Sequence, residues 1–294
     1  MTNRLALPWE RIAFANSAIA LLVLYVLSGL AMNARAADRV PPTAWTNCTS
    51  VDEWHGFHRY HFTVAGCHAW VVEPATVAGG KPWTWCLAFP DAFTERCATL
   101  QLLTNGYYAT FIDVGNTFGC PKAVEQFNVF YQMLTRQGLN SKPVLIGISR
   151  GGLYAYRWAS ENPGKVGAIY GDAPVCDFKS WPGGKGHGQG SPKDWQSLLV
   201  DYGFKDEAAA LAYPHNPVDS LAPLAGAGVP IIHVVGDSDN VVPVAENTAI
   251  VEQRYRELGG TIQVIHKPGL GHHPHGLDNP APVVSFILKN NLGK

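Results

Sequence analysis

Three short stretches hold the residue types needed for nucleophilic acyl transfer. The first is Gly147-Ile148-Ser149-Arg150-Gly151-Gly152, which fits the spacing GxSxG. It follows the apolar run Val144-Leu145-Ile146 and precedes a segment of helical spacing over 152–161. A serine between glycines where a buried strand turns into a helix suits a nucleophile elbow, because a strained turn tolerates no bulk beside it. A serine hydroxyl is a poor nucleophile until a base takes its proton. Imidazoles cluster in Gly271-His272-His273-Pro274-His275, behind the apolar run 262–266. His272 is the first candidate there, and His273 and His275 compete with it. A carboxylate that orients the base should precede it, after its own strand. Gly236-Asp237-Ser238-Asp239 supplies two, either of which could instead shape the turn or cap the following helix. Serine, acid and histidine therefore arrive in order, each behind a separate strand.

Other chemistries fit less well. His272, His273 and His275 could ligate a metal, as could His55, His58 and His61. The latter three run into a strand, where alternation would keep them off one face. No CxxC pair is present, so no structural zinc site is indicated. Neither a metal nor any other cofactor is expected. The glycine-rich 183–190 lacks phosphate-loop spacing and joins no strand to a helix. Lys and Arg total 22 against 23 for Asp and Glu, a balance that gives no electrostatic case for nucleic acid or an anionic membrane surface.

The elements that must position these residues alternate. Strand patterns at 60–64 and 69–73 surround a turn at Gly66 and would form an antiparallel edge. Strands at 82–89, 108–113, 144–148, 166–170, 231–235 and 262–266 alternate with helices at 93–104, 121–137, 152–161, 245–258 and 282–290. That order predicts an α/β fold with a mainly parallel sheet and helices on both faces. The stretch 176–228 is too long for an ordinary connection. It reads as an insertion before the acid-bearing strand, either a surface loop or a lid.

The first 36 residues differ from the rest. Arg4 and Arg11 precede an uncharged apolar run at 19–32, and Ala34-Arg35-Ala36 gives small-x-small spacing. This pattern predicts a cleaved secretory signal over 1–36, a secreted or periplasmic catalytic domain over 37–294, and no stable membrane association after cleavage. All six cysteines, at 48, 67, 86, 97, 120 and 176, lie in the expected exported part, where disulfides could persist.

Taken together, Gly147–Gly152, Gly236–Pro243 and Gly271–Leu277 resemble the α/β-hydrolase superfamily. "KPWTW", "NTFGCPKAV", "APVCDFKSWPGG" and "NPVDSLAPLA" resemble a bacterial exported, esterase-like subgroup of it. The resemblance implies Ser149 as nucleophile, Asp239 rather than Asp237 as acid, and His272 as base. It further implies a serine hydrolase acting on carboxylic esters, with acyl groups on carbohydrate (acetyl or aromatic) as the substrate class. A prolyl-oligopeptidase-like peptidase and a non-catalytic binding protein are the alternatives. An oxyanion hole would use the Arg150 backbone N–H and one from the loop after 82–89, with Cys86, Leu87 and Phe89 all arguable. Trp85 and Trp181 are candidates for stacking on a sugar. Two positions depart from the subgroup: Cys86 stands where Arg is usual, and Cys120 where Ser is usual. Their joint departure suggests a Cys86–Cys120 disulfide, with Cys48–Cys67 as a weaker second pair.

Overall fold

The computed structural model describes residues 45–291; the expected signal segment 1–36 lies outside them. A nine-stranded sheet organises these residues in the spatial order β1-β2-β3-β5-β4-β6-β7-β8-β9. The strands are β1 Ser50–Trp54, β2 Phe57–Val64, β3 Cys67–Val72, β4 Trp83–Cys86, β5 Tyr108–Ile112, β6 Val144–Ile148, β7 Ala168–Asp172, β8 Ile231–Gly236 and β9 Ile262–Lys267. The first three and β5 pair antiparallel, and from β5 to β9 every pairing is parallel. The antiparallel edge therefore has one strand more than the sequence pattern suggested. Ser50–Trp54 buries only Trp54, so it carries no apolar alternation to announce it.

Eight helices are described: α1 Thr99–Thr104, α2 Pro121–Arg136, α3 Gly151–Glu161, α4 Pro192–Tyr202, α5 Glu207–Leu211, α6 Ala222–Gly226, α7 Thr248–Glu257 and α8 Ala281–Asn291. Helix α1 is shorter than the periodicity of 93–104 implied. Phe93 and Ala98 adopt φ of 55° and 65°, which a right-handed helix does not allow. Helix α2 starts with Pro121 at its first position and buries Ala123, Val124, Phe127, Phe130, Tyr131 and Leu134. That spacing places one apolar face on the sheet.

The central strands β6 and β7 are buried at every residue, as parallel strands covered on both faces must be. On one face α1 and α8 pack over Val144, Ile146, Tyr170, Ile232 and Val234. On the other, Trp83 and Trp85 meet Phe127, Phe130 and Tyr131 of α2 and Trp158 of α3. Strand alternation separates neighbours: Trp85 faces α2, and Cys86 joins the α1/α8 side.

The insertion between β7 and β8 has its own apolar cluster. Phe178, Trp195, Leu198 and Ala210 bury against Phe118, Leu153 and Val242 of the main body. Its glycine-rich stretch is bonded along its length. Gly183, Gly184 and Lys185 donate backbone N–H groups to Phe178, Ser180 and Lys179, and Gln189 donates to the Asn240 carbonyl. The stretch therefore lies directly against the turn that carries Asp239.

Candidate active site

Ser149 sits between the last residue of β6 and the start of α3, at φ 50°. A non-glycine residue held in that region costs of order 1–3 kcal/mol, and its surroundings must enforce it. Here the Ser149 N–H donates to the Asp172 carbonyl, and the Val175 N–H donates to the Ser149 carbonyl, each at 2.8 Å. The glycines make room. A Cβ on Gly147 would lie 3.0 Å from the Gly151 carbonyl oxygen, and one on Gly152 would lie 2.6 Å from that of Val175.

The Ser149 hydroxyl lies 2.9 Å from His272 Nε2. His272 Nδ1 lies 2.7 Å from Asp239 Oδ2. The carboxylate can only accept, so Nδ1 carries the proton and Nε2 is left to accept from the serine. Asp239 is itself fixed, because its Oδ1 accepts the backbone N–H groups of Val241 at 2.9 Å and Val242 at 2.8 Å. One residue thus shapes the turn and orients the imidazole, the two roles the sequence left as alternatives. Asp237 points elsewhere, 2.6 Å from His266 at the surface. His272 and Asp239 are buried, while Ser149 is half-buried.

A second buried pair braces the base-bearing loop. Asp172, at the end of β7, accepts from His275 Nδ1 at 2.7 Å, the Tyr170 hydroxyl at 2.7 Å and the Gly276 N–H at 2.9 Å. Burial works to raise its pKa, but these bonds, led by His275, hold it below the ordinary carboxylate value. Lys267 Nζ donates to the Pro274 carbonyl at 2.7 Å, and Arg96 Nε donates to that of His275 at 2.7 Å. Sequence reading missed Asp172, because it ended the strand at Tyr170. It grouped His275 with the candidate bases.

The three imidazoles converge, with one ring nitrogen of each of His272, His273 and His275 inside a 4.8 Å span. Both His272 nitrogens are already engaged, so a cation there would compete with Ser149. Burial, reinforced by the neighbouring His275 and His272, lowers the His273 pKa. His55, His58 and His61 do not converge. His61 instead bonds Asp52 and His68, each at 2.9 Å.

Around the nucleophile, the N–H groups of Arg150, Ala88 and Phe89 have no acceptor among the described residues. Leu87 is spent, since its N–H donates to the Ile146 carbonyl at 3.0 Å. Cys86 is the last residue of β4, paired within the sheet, so the free donors lie beyond it. This moves the second-donor position from Cys86 to Ala88 or Phe89. Phe89 has φ 58° and faces the Arg150 guanidinium, whose Cζ is 5.0 Å from its ring centroid.

Other expectations are corrected. Trp85 has no exposed surface; its ring is enclosed by Phe127, Phe130 and Trp158 and offers no face to a substrate. Trp181 is half-buried, 6.2 Å from Phe118, and Phe118 in turn lies 6.0 Å from the Arg150 guanidinium. All six cysteines are free thiols. Cys86 and Cys120 do not pair, because Cys86 faces the α1/α8 side while Cys120 heads α2 on the other. The Cys86 thiol donates to the Ala88 carbonyl, and burial pushes its pKa up to about 12. Cys48 and Cys67 are separately engaged, with the Ser50 carbonyl and with Gln126 Nε2.

No family model and no curated protein matches the sequence. Solved structures do match. Dipeptidyl peptidase 4 of Porphyromonas gingivalis is 12% identical with a TM-score of 0.57, the match covering 78% of this chain and 35% of that one. The chain therefore spans about a third of that peptidase's length. An S-formylglutathione hydrolase from Agrobacterium tumefaciens is 14% identical with a TM-score of 0.55, covering 82% of this chain and 96% of that one. A bacterial membrane phospholipase A is 17% identical with a TM-score of 0.51, covering 94% and 96%. Likeness at such identity is a likeness of fold. With a mostly parallel sheet, an antiparallel N-terminal edge and a serine at the β6–α3 turn, the chain has the α/β-hydrolase fold.

Proposed function

We propose that the protein is a serine hydrolase that cleaves carboxylic esters through an acyl-enzyme. The observation that carries this reading is the hydrogen-bonded chain Ser149–His272–Asp239 beside N–H groups with no acceptor. His272 Nε2 takes the Ser149 proton as Oγ attacks the ester carbonyl. The tetrahedral oxygen then receives the N–H groups of Arg150 and of Ala88 or Phe89. Such donors typically contribute about 3–4 kcal/mol each to transition-state stabilisation. Asp239 holds the imidazole in the right tautomer and stabilises its protonated form. His272 next gives that proton to the leaving alkoxide, and the alcohol departs. Water, deprotonated by His272, then hydrolyses the acyl-serine and restores the enzyme.

The substrate class within this reading is an acyl ester on carbohydrate, which rests on the resemblance of the subgroup motifs and on Trp181 near the site. An exported location rests on the pattern of residues 1–36, and a mature N-terminus at Ala37 in the secreting host would test it. The reaction is tested with p-nitrophenyl acetate and the matching anilide. Hydrolysis of the ester well above that of the anilide, lost by about 10⁶-fold in Ser149→Ala and His272→Ala, is the expected result. Anilide cleavage as fast as ester cleavage would favour a peptidase, and equal rates in Ser149→Ala would remove the triad reading.

A further inference from the structure

Arg150, the residue after the nucleophile, has a side chain that the acyl-transfer machinery does not use. It lines a cleft of about 200 Å³ with Ala88, Phe89, Phe111, Asn116 and Tyr154. Its guanidinium lies between two rings, with Cζ 5.0 Å from the centroid of Phe89 and 6.0 Å from that of Phe118. Its Nε is buried with no hydrogen-bond partner, and among the described residues no carboxylate forms an ion pair with it. A ring face attracts a cation but satisfies none of the five N–H donors of a guanidinium in its plane. Half-buried arginines normally find a carboxylate. Asp113 lines the same cleft, but its Oδ1 accepts the Gly115 N–H at 2.9 Å, and its charge bears on the Cys67 thiol.

The same cleft wall includes Ala88, Phe89 and Arg150, whose backbone N–H groups await an acceptor. A group bound in the cleft is therefore attached to the carbonyl that Ser149 attacks, or to its alcohol. We infer that the Arg150 side chain is a specificity determinant that pairs with a carboxylate of the substrate, so that the preferred esters are anionic. The inference rests on the serine hydrolase reading for its chemistry. The planar fork of the guanidinium matches a carboxylate through two parallel bonds, and the flanking rings hold that fork in place.

The test uses the full chain and two pairs of esters. On the acyl side, p-nitrophenyl hemisuccinate is compared with its neutral methyl ester. On the alcohol side, 3-acetoxybenzoate is compared with phenyl acetate. The expected result is a kcat/KM ratio of anionic to neutral ester of about 10 or more in one pair. That ratio should shrink as salt rises from about 0.02 to 0.5 M, collapse to about 1 in Arg150→Gln, and be partly kept in Arg150→Lys. Free succinate binding, followed by tryptophan fluorescence, gives a readout without turnover and should be lost in Arg150→Gln. A ratio near 1 in both pairs, or an Arg150→Gln variant that slows both members equally, would overturn the inference. Failure of wild type on all four esters would instead defeat the hydrolase reading; succinate binding would then decide Arg150 alone, with no saturable binding counting against it.

Discussion

At the scale of residues, position rather than type decides what each side chain does. Asp237 and Asp239 are two residues apart, yet only Asp239 reaches His272, because its other oxygen is bound by the Val241 and Val242 N–H groups. Trp85 and Trp181 divide in the same way. Trp85 fills the space between the sheet and helices α2 and α3. Trp85→Ala is expected to cost about 3–5 kcal/mol in unfolding free energy. Trp181→Ala, half-buried against the insertion's cluster, should cost clearly less stability than Trp85→Ala and alter KM for bulky esters more than kcat. Urea melts and steady-state kinetics of the two variants check this. A Trp85→Ala variant of normal stability with a raised KM would return that ring to the substrate. The tryptophans were not separable in the sequence, because strand alternation assigns faces only once the neighbouring helices are known. The serine, by contrast, was legible: glycines at 147 and 152 are needed by contacts that a Cβ would crowd.

At the scale of elements, the loops after β7, β8 and β9 are tied to one another. Asp172 at the end of β7 holds His275 and Gly276, and so sets the loop from which His272 projects. Removing one partner of such a buried pair typically costs about 3–5 kcal/mol, so Asp172→Asn should lower the thermal midpoint and slow ester hydrolysis. The pH dependence has a definite sign. The folded-state pKa of Asp172 is depressed, so its stabilisation is present above the ordinary value near 4 and is lost as pH falls through the lower folded value. His233 also contributes an acid limb. Burial lowers its pKa to about 3, so its contribution is full above about 6.5 and declines as pH falls towards 3. The Asp172 part is therefore read as the difference between wild-type and Asp172→Asn melts, which should narrow below about pH 4. A constant difference at all pH values would contradict this account. The pair could not be foreseen, since a lone aspartate after an apolar run reads as a turn. The mainly parallel sheet was foreseeable because helical and apolar periods alternate on either side of the insertion at 176–228. Strand β1 was not, having only one buried residue.

At the scale of the whole molecule, apolar packing and buried hydrogen bonds hold the described fold, and no disulfide contributes. Six thiols should react with Ellman's reagent in guanidinium without reductant, and dithiothreitol should leave the thermal midpoint unchanged. Fewer than six would reveal a bond. The cysteine pairing was misjudged because the joint departure of two positions from the subgroup pattern was taken as sufficient, whereas a bond also needs both side chains on one face. Because both His272 nitrogens are engaged within the protein, EDTA should leave ester hydrolysis unaltered, whereas micromolar zinc should inhibit it through the imidazoles of His272, His273 and His275. The central claim is that this scaffold activates Ser149. Its most direct measurement is intact-mass and peptide mass spectrometry after treatment with a fluorophosphonate. The account predicts one adduct per chain, on Ser149, absent in Ser149→Ala and strongly slowed in His272→Ala. No adduct on the folded wild type, or an adduct on another residue at the same rate, would contradict it.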